Sequence, residues 1–345
     1  MSPREPSSRQ SSSRGARQAG GAGSSVLVTG AGGPAAIAVL KSLRADESVS
    51  LLAADMDPWA AGLYLVPPAA RSVIPAGTAP DFAGQLLARC RELGADVVIP
   101  TVDSELRPLS AARPAFEEAG VALMLPPERA LLLTLDKLAL ARACAGAVRV
   151  PRTELLSEEI SPDSWTYPVI IKPRTGSGSR DITAIMSADE LKTMEPSADF
   201  LVQEYLPGEE YSIDMLADAA GRVVAGVPRV RARVDSGVSV AGRTLHDQEL
   251  EQFGATVATT VGLSYIANVQ VRRDHAGRPA LLEVNPRVPG SLPLTVASGV
   301  DMPRMALDAL RGKELPEHAE FCEKAMVRFL EERFLDLSEI AATAA

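Results

Sequence analysis

The stretch that decides the fold covers residues 267–290 and reads ANVQVRRDHAGRPALLEVNPRVPG. Two apolar runs of alternating character, 266–271 and 280–284, flank the turn-rich segment 274–277. Short alternating runs on either side of a Gly-containing turn predict a β-hairpin. The hairpin places Gln270 on its first strand and Glu283 and Asn285 on its second.

These three polar residues form a candidate metal site. Glu283 and Asn285 are two residues apart, so their side chains leave the same face of an extended strand, and Gln270 joins them if the register allows. One carboxylate and two amide oxygens suit Mg²⁺, which keeps waters and takes further ligands from phosphate. Arg287, two residues on, would direct a planar cation to the same place. The segment alone also allows an edge strand with solvent-facing Glu283 and Arg287 that ends at Asn285.

Composition limits the classes of function. A chain of 345 residues has room for two or three domains. The net charge of -9 argues against a nucleic-acid partner, although a local basic cleft for a nucleotide is allowed. The sequence contains neither an apolar run of the ~20 residues needed to cross a bilayer nor a secretory signal. The three cysteines are widely spaced and odd in number, which fits a protein of the reducing cytoplasm without a metal cluster. We expect each of them to be a small apolar residue of the core.

The first third of the chain predicts a leader and a parallel α/β domain. Residues 1–24 have almost no apolar side chains, so we expect them to be a disordered leader. Short buried strands and helices then alternate over residues 25–125, which is typical of a Rossmann-like domain. The glycine turn 30–33 and Asp55 suggest a dinucleotide site, but the G-x-G-x-x-G spacing is not met. A turn that only packs helix on strand is the alternative.

Two acidic residues lie where such a domain binds ligands. Asp103 and Glu105 follow the strand predicted over 96–100, and ligands of open α/β sheets bind at the carboxyl ends of strands. They would meet a substrate amine or cap the helix predicted over 104–119, for which Ser104 is a candidate N-cap. The sequence leaves both roles open.

The middle of the chain has features of a nucleotide site. Lys172 ends a buried strand and precedes the Gly- and Ser-rich loop 173–180, whose N–H groups can approach phosphate while the lysine supplies charge. A flexible hairpin turn is the alternative for this loop. Residues 200–215 read as strand, linker, strand, an extended crossing with main-chain groups suited to the edge of adenine. Lys137 lies on a helix predicted over 131–143, where a lysine is usually solvated.

A basic run follows. Arg229, Arg231 and Arg233 alternate along a predicted strand, so their side chains would line one wall of a cleft or a solvated sheet face. Helices are predicted over 244–261 and 301–311.

Four motifs in this order resemble the ATP-grasp superfamily, and within it the synthetase halves of the carbamoyl-phosphate synthase large subunit. The motifs are DKLALARA, VIIKPRTGSGSRDI, VQEYLPGEEYSID, and NVQV followed by LLEVNPRVPGS. The resemblance extends from Val26 to about Gly312. It implies an α/β fold, α+β in its C-terminal part, in which a parallel pre-ATP-grasp domain precedes a two-lobed ATP-grasp domain.

The resemblance also implies domain limits. The N-terminal domain would cover 25–125 and the ATP-grasp domain 126–315, with a smaller lid lobe over 163–208. Residues 316–345 are predicted to be an amphipathic helical end without assigned chemistry.

The resemblance assigns ATP and Mg²⁺ as cofactors and gives each motif position a role. Lys137 and Lys172 would hold the phosphates, and Glu210 would receive the ribose hydroxyls. Gln270, Glu283 and Asn285 would be the Mg²⁺ ligands, and Arg287 would lie beside the transferred phosphoryl group. The loop folding over the phosphates would include Gly176, Ser177, Gly178 and Ser179, and the adenine hinge would be Glu204, Tyr205 and Leu206.

The implied activity is that of a carboxylate-amine ligase, which phosphorylates a carboxylate and passes the acyl group to an amine. His246, His275 and His318 lie in loop-like contexts without a nucleophile beside them, so we expect catalysis by positioning and charge stabilisation. Arg229 or Arg231 would hold the acceptor carboxylate. Bicarbonate or carbamate activation and a nucleotide-binding regulatory module are the alternatives.

The expected partners are a small carboxylate and a small amine, with no nucleic acid and no membrane. The sequence leaves the oligomeric state open, and a homodimer through the N-terminal domain is one arrangement that it allows.

Overall fold

The first sheet is parallel and has five strands. The structure, a computed structural model, describes residues 23–176 and 181–340. The strands lie in the order β3-β2-β1-β4-β5 with helices α1–α4 packed against them. Their bounds are β1 Ser24–Thr29, α1 Pro34–Leu43, β2 Val49–Asp55, β3 Arg71–Val73, α2 Phe82–Leu93, β4 Val97–Ile99, α3 Asp103–Ala111, α4 Arg113–Glu118 and β5 Ala122–Leu123. The predicted parallel α/β domain is therefore confirmed.

The glycine turn after β1 has a packing role. Asp55 accepts hydrogen bonds from the N–H of Gly32 at 2.7 Å and from that of Asp57 at 2.9 Å, so its carboxylate holds the turn against the end of β2. This is the alternative that the sequence left open. Residues 1–22 of the predicted leader lie outside the described residues. Its last residue, Ser24, already belongs to β1.

The second sheet is antiparallel, with the strand order β6-β9-β7-β8. Two short helices precede this sheet, whereas the sequence predicted one helix over 131–143. The first helix ends at Thr134, and the side chain of Asp136 caps a second helix that begins at Lys137. The bounds are α5 Glu128–Thr134, α6 Lys137–Cys144, β6 Thr153–Leu156, β7 Val169–Pro173, β8 Thr183–Ile185, α7 Ala188–Lys192 and β9 Ser197–Glu204. Strand β6 precedes residue 163, where the smaller lobe was predicted to begin.

The third sheet has six strands in the order β14-β13-β10-β11-β12-β15, with α8 packed on one face. Its β13–β14 hairpin confirms the predicted one and pairs Gln270 with Glu283. The helix predicted over 244–261 begins later, because Thr244 ends β12 and Asp247 caps the helix. The bounds are β10 Glu210–Ala217, β11 Val223–Asp235, β12 Val238–Thr244, α8 Gln248–Val261, β13 Tyr265–Arg273, β14 Pro279–Asn285, α9 Leu292–Ala297, α10 Met302–Leu310 and β15 Ala325–Val327.

The helical end predicted over 316–345 is wrong for its described part. Residues 316–340 contain β15, which pairs antiparallel with β12, and a single 3₁₀ turn, Leu337–Glu339. Leu335 and Ile340 pack against the core of the N-terminal domain. Contacts with the rest of the molecule therefore override the local helical preference of this Glu-rich segment. Within 23–176 and 181–340, no helix is long and apolar enough to span a membrane.

We predict that Gly62→Ala destabilises the N-terminal domain. A Cβ atom at Gly62 would lie 2.1 Å from the carbonyl oxygen of Ala31, a backbone atom that cannot move aside on its own. Overpacking of this kind typically costs about 1–3 kcal/mol. Urea unfolding followed by circular dichroism should show the loss. Gly146→Ala is the matched control, because a Cβ atom there meets nothing within 4 Å; equal midpoints for the two variants would contradict the prediction.

Candidate functional site

Polar side chains form a continuous row across one face of the six-stranded sheet. The strand registers place Glu283 opposite Gln270, Gln270 opposite Ser212, and Ser212 opposite Arg229. Since neighbouring strands are about 4.8 Å apart, the row spans about 14 Å between the backbones of Glu283 and Arg229. A polar cavity of ≈ 220 Å³ lies over this row and is also lined by the turns 236–239 and 289–291.

The register brings the predicted metal ligands together. Gln270, Glu283 and Asn285 all line the cavity, and the amide of Asn285 donates to Glu283 Oε1 at 3.2 Å. One carboxylate and two amide oxygens fit Mg²⁺ with phosphate supplying further ligands. The described residues contain no group of three or more His, Cys, Asp or Glu side chains that could hold a metal ion. The candidate set has a single carboxylate, Glu283, and its other two ligands would be the amide oxygens of Gln270 and Asn285.

Two lysines lie at the Glu283 end of the row. Lys172 on β7 is buried, and burial lowers the pKa of its ammonium to about 8, although Glu283 and Glu210 act in the opposite direction and Lys137 acts in the same direction. Lys137 Nζ lies 3.9 Å from Glu283 Oε2 and donates to the carbonyl of Gly176 at 2.6 Å. The structure thus brings lysines from two separate elements to one carboxylate.

Asp136 and Arg174 fix the relation between these lysines. Asp136 accepts two hydrogen bonds from the first turn of α6, which begins at Lys137, and two from the guanidinium of Arg174 at 2.9 and 2.6 Å. The N–H of Lys137 donates to the carbonyl of Arg174 at 3.0 Å. Because Arg174 is two residues after Lys172, this pair joins α6 to the end of β7.

The loop after Arg174 is described only at its start. Gly176 has φ +90°, in the region that favours glycine, and accepts the Lys137 bond. The predicted loop residues Ser177, Gly178 and Ser179 lie outside the described residues.

The three arginines that were predicted to line one wall of a cleft are arranged differently in the structure. Arg229 lines the cavity but is 2% exposed, and it gives two donors to Asp214, at 2.8 and 2.6 Å. Arg231 donates to Glu210 at 2.7 Å and to Gln270 at 3.1 Å, and so it links the β10, β11 and β13 strands. An irregular register between Val230 and Arg233 leaves Arg233 exposed and outside the cavity lining, so the expected three-arginine face is wrong.

Arg287 connects the cavity to the N-terminal domain. Its Nε and Nη2 donate to the two carboxylate oxygens of Asp103, both at 2.8 Å. Asp103 is the first residue of α3, so the helix starts one residue before Ser104, with Val102 rather than Ser104 at its N-cap. Glu105 is buried instead at the carboxyl end of β1, where Thr29 donates to it at 2.5 Å and burial raises its pKa to about 7. Of the two acidic candidates, Asp103 is the one that contacts a cavity-lining side chain, Arg287.

The predicted hinge joins β9 to β10. The side chain of Glu204 accepts from Arg149 at 2.5 Å, and its N–H donates to Arg152. Among the described residues, the N–H groups of Tyr205 and Leu206 donate to no other backbone group. Main-chain donors at these two positions thus have capacity for a further acceptor.

Sequence reasoning missed two buried residues. Asp214 is fully buried beneath the cavity, and Asn268 donates to it at 2.8 Å and accepts from Gln270 at 3.4 Å. A detectable signal was present, since a lone aspartate inside the apolar strand YSIDMLA must be paired if it is buried.

Family models match two parts of the chain. Residues 26–124 match the model described as "PylC-like, N-terminal domain". Residues 196–333 match the model described as "ATP-grasp in the biosynthetic pathway with Ter operon". The second match contains the whole polar row and the cavity lining.

Solved structures share the fold. The chain is similar to biotin carboxylase from Campylobacter jejuni, with 16% identity, a TM-score of 0.71 and coverage of 86% of this chain and 73% of that one. It is also similar to N5-carboxyaminoimidazole synthetase from Staphylococcus aureus, with 14% identity, a TM-score of 0.66 and coverage of 87% and 80%. A third similar structure is L-amino acid ligase from Bacillus licheniformis, with 14% identity, a TM-score of 0.65 and coverage of 85% of this chain and 75% of that one. At these identities the likeness establishes a common fold.

We predict a pH signature for Lys172 in the protein without nucleotide or metal. Its folded-state pKa, about 8, is below its ordinary value of 10.5, so between these values the unfolded state binds more protons. The burial of Lys172 therefore lowers stability below pH ~8, and this penalty is relieved as the pH rises toward 10.5. Urea unfolding from pH 7 to 10 should show wild type gaining stability relative to Lys172→Met. The difference should not appear with Lys41→Met, an exposed lysine; parallel pH curves for wild type and Lys172→Met would contradict the assignment.

Proposed function

Because the chain is an ATP-grasp protein, we propose that it is an ATP-dependent ligase that phosphorylates a carboxylate and transfers the acyl group to an amine. The polar row from Glu283 to Arg229 is the observation that carries this proposal. It joins a set of metal-type oxygen ligands to an arginine-lined cavity on one rigid sheet face. A phosphoryl donor at one end and an acceptor carboxylate at the other would then lie in a single cavity.

In this proposal the nucleotide binds between the two antiparallel sheets. Lys137 and Lys172 hold its phosphates, and Gly176, whose carbonyl accepts from Lys137, would lie beside them. Main-chain groups of Glu204, Tyr205 and Leu206 meet adenine. In support, the N–H groups of Tyr205 and Leu206 donate to no backbone group in the part of the chain that the structure describes. Glu210 is the candidate for the ribose hydroxyls, and it would share its carboxylate with Arg231.

Gln270, Glu283 and Asn285 would hold Mg²⁺. When bound, the ion supplies positive charge that stabilises the phosphoryl oxygens during transfer. Gln270 already accepts from Arg231, so the same side chain would link the ion to the acceptor end of the cavity.

The acceptor carboxylate would lie against Arg231 and Arg287. Arg231 is partly accessible from the cavity, whereas Arg229 uses two donors on Asp214 and contributes mainly as a fixed positive wall. Asp103 holds the guanidinium of Arg287 in one plane. The amine would approach from the side of Asp103, in the N-terminal domain.

A protein nucleophile is not needed for this chemistry. Burial raises the pKa of the Cys90 thiol to about 12 and that of Cys144 to about 11, which suppresses their thiolates. His246 stacks on Phe321 at 4.1 Å, away from the cavity. Direct phosphoryl transfer between positioned substrates is consistent with this arrangement.

The expected partners are therefore two small molecules, a carboxylate and an amine. The absence of a nucleic-acid partner, the cytoplasmic location and a homodimer through the N-terminal domain stay predictions from the sequence.

Phosphate release from Mg-ATP tests the proposal. Pools of carboxylic acids and amines should give turnover only when both are present, with the condensed product found by mass spectrometry. Turnover with bicarbonate alone would select activation of bicarbonate or carbamate instead. Nucleotide binding without turnover under any condition would select a regulatory module.

We predict that Glu283→Gln lowers ATP turnover by about 10²–10³-fold, the size expected when one group that stabilises the developing charge, here the ion that Glu283 would hold, is lost. The side chain keeps its shape but loses the charge that would bind the metal. Steady-state phosphate release, with circular dichroism as a folding check, measures this effect. Glu117→Gln, on the exposed surface of α4, is the control. Full activity in Glu283→Gln would remove the metal assignment.

A second prediction concerns Asp103, which acts through Arg287. Asp103→Asn should lower kcat by about tenfold, because only one carboxylate-like oxygen remains to orient the guanidinium, while KM for ATP stays unchanged. Asp103→Glu should recover part of kcat. Asp189→Asn, an exposed site on α7, serves as control. A rise in the KM for ATP without a fall in kcat would contradict this role.

A further inference from the structure

Arg328, in the C-terminal tail defined here as residues 313–340, brings a fourth guanidinium to the wall of the cavity without being one of its lining residues. Strand β15 fixes the tail along β12, and the N–H of Arg328 donates to the carbonyl of Val240 at 2.9 Å. Its Nη2 donates to the carbonyl of Gly290, which lines the cavity. The tail thus reaches the turn that shapes the acceptor end.

The charge of Arg328 is not balanced as those of its neighbours are. Arg229, Arg231 and Arg287 each pair with a carboxylate, from Asp214, Glu210 and Asp103 respectively. Among residues 23–176 and 181–340, Arg328 forms no ion pair. Burial lowers the pKa of Arg328, and repulsion from the charge of Arg229 lowers it further.

Two buried donors in this region also lack acceptors. The Nε atoms of Arg231 and Arg328 are both buried without a hydrogen-bond partner in the described structure. A buried N–H without an acceptor is unfavourable, so such groups usually mark a place for water or ligand. The Arg231 guanidinium lies beside Gln270 in the cavity lining, whereas that of Arg328 lies behind Gly290, in the cavity wall.

We propose that the acceptor is a small acid with two anionic groups, and that Arg328 determines this specificity. One carboxylate lies at Arg231 and Arg287, facing the phosphoryl donor. The second anionic group lies at the end of the cavity lined by Arg229 and Gly290, where Arg328 adds positive charge from behind Gly290. A volume of ≈ 220 Å³ is below the roughly 300–1,000 Å³ typical of pockets for drug-sized ligands, which favours a small acid. This inference rests on the proposed ligase function.

The second anionic group takes no part in bond changes. An oxygen of the first carboxylate forms a bond to the γ-phosphorus as the bond from that phosphorus to the β,γ-bridging oxygen breaks and ADP leaves. The amine nitrogen then forms a bond to the acyl carbon, inorganic phosphate leaves with the C–O electron pair, and the amine proton passes to solvent.

Hydroxylamine provides a test that is independent of the natural amine, because it traps acyl phosphates as hydroxamates. The full chain with Mg-ATP is given chain-matched acids, butanoate against succinate and pentanoate against glutarate, and also 3-phosphonopropionate. We expect kcat/KM to be at least about tenfold higher for the dianionic acids. A preference for the phosphonate over the dicarboxylates would identify the second group as phosphate-like.

Arg328→Gln should remove this preference by raising KM for the dianionic acid about tenfold or more, with KM for ATP unchanged, and Arg328→Lys should retain part of it. Arg333→Gln, an exposed arginine of the same tail, is the matched control. Thermal unfolding midpoints, and calorimetric binding of succinate in the presence of Mg-ADP, separate specificity from folding.

Equal use of mono- and dianionic acids, or a preference unaffected by Arg328→Gln, would overturn this inference and leave the ligase intact. Hydroxamate from no acid would overturn the proposed ligase function itself. If no acid gives hydroxamate, calorimetry still tests the dianion site. Failure of both succinate and 3-phosphonopropionate to bind would overturn that site as well, whereas binding to the wild type that Arg328→Gln weakens would support it.

Discussion

A buried carboxylate beneath the cavity is the constraint on which the site depends. Asp214 accepts two hydrogen bonds from Arg229, one from Asn268 at 2.8 Å and one from Thr295 at 2.5 Å. Removing an ion from water costs several kcal/mol unless it is fully paired, so each of these donors is needed to keep the others in place. Strands β10, β11 and β13 and helix α9 are thereby held at one point. The cavity can then place positive charge on a rigid floor.

The same device recurs around the cavity, where carboxylates hold basic side chains before any ligand arrives. Asp136 caps the start of α6 and also holds Arg174, and Asp103 holds Arg287 across the boundary with the N-terminal domain. Such preorganisation lowers the rearrangement needed when charge develops on a bound substrate. It also explains why so acidic a chain can assemble a basic cavity, since many of its carboxylates serve as internal partners.

The sequence was informative where local pattern and tertiary environment agree. The β13–β14 hairpin and the clustering of Gln270, Glu283 and Asn285 follow from alternation and a Gly-containing turn. Where pairing depends on distant residues, pattern was insufficient. Arg229 looked available because its partner Asp214 lies on another strand, and an irregular register, invisible in the sequence, turned Arg233 outward. The Glu-rich C-terminal end looked helical from its local pattern. Its strand β15 forms instead because it pairs with β12, which lies about 85 residues earlier in the chain, and the local pattern cannot reveal such a partner.

The position of β15 has a consequence for the solubility of this protein. An open sheet edge presents unpaired N–H and C=O groups that can template strand addition by another molecule. By hydrogen bonding to β12, β15 occupies that edge. Removing this strand would leave the backbone N–H and C=O groups along the outer edge of β12 unpaired and able to pair with a strand of another molecule. A shortened chain should therefore precipitate by edge-to-edge pairing before its catalysis can be assayed.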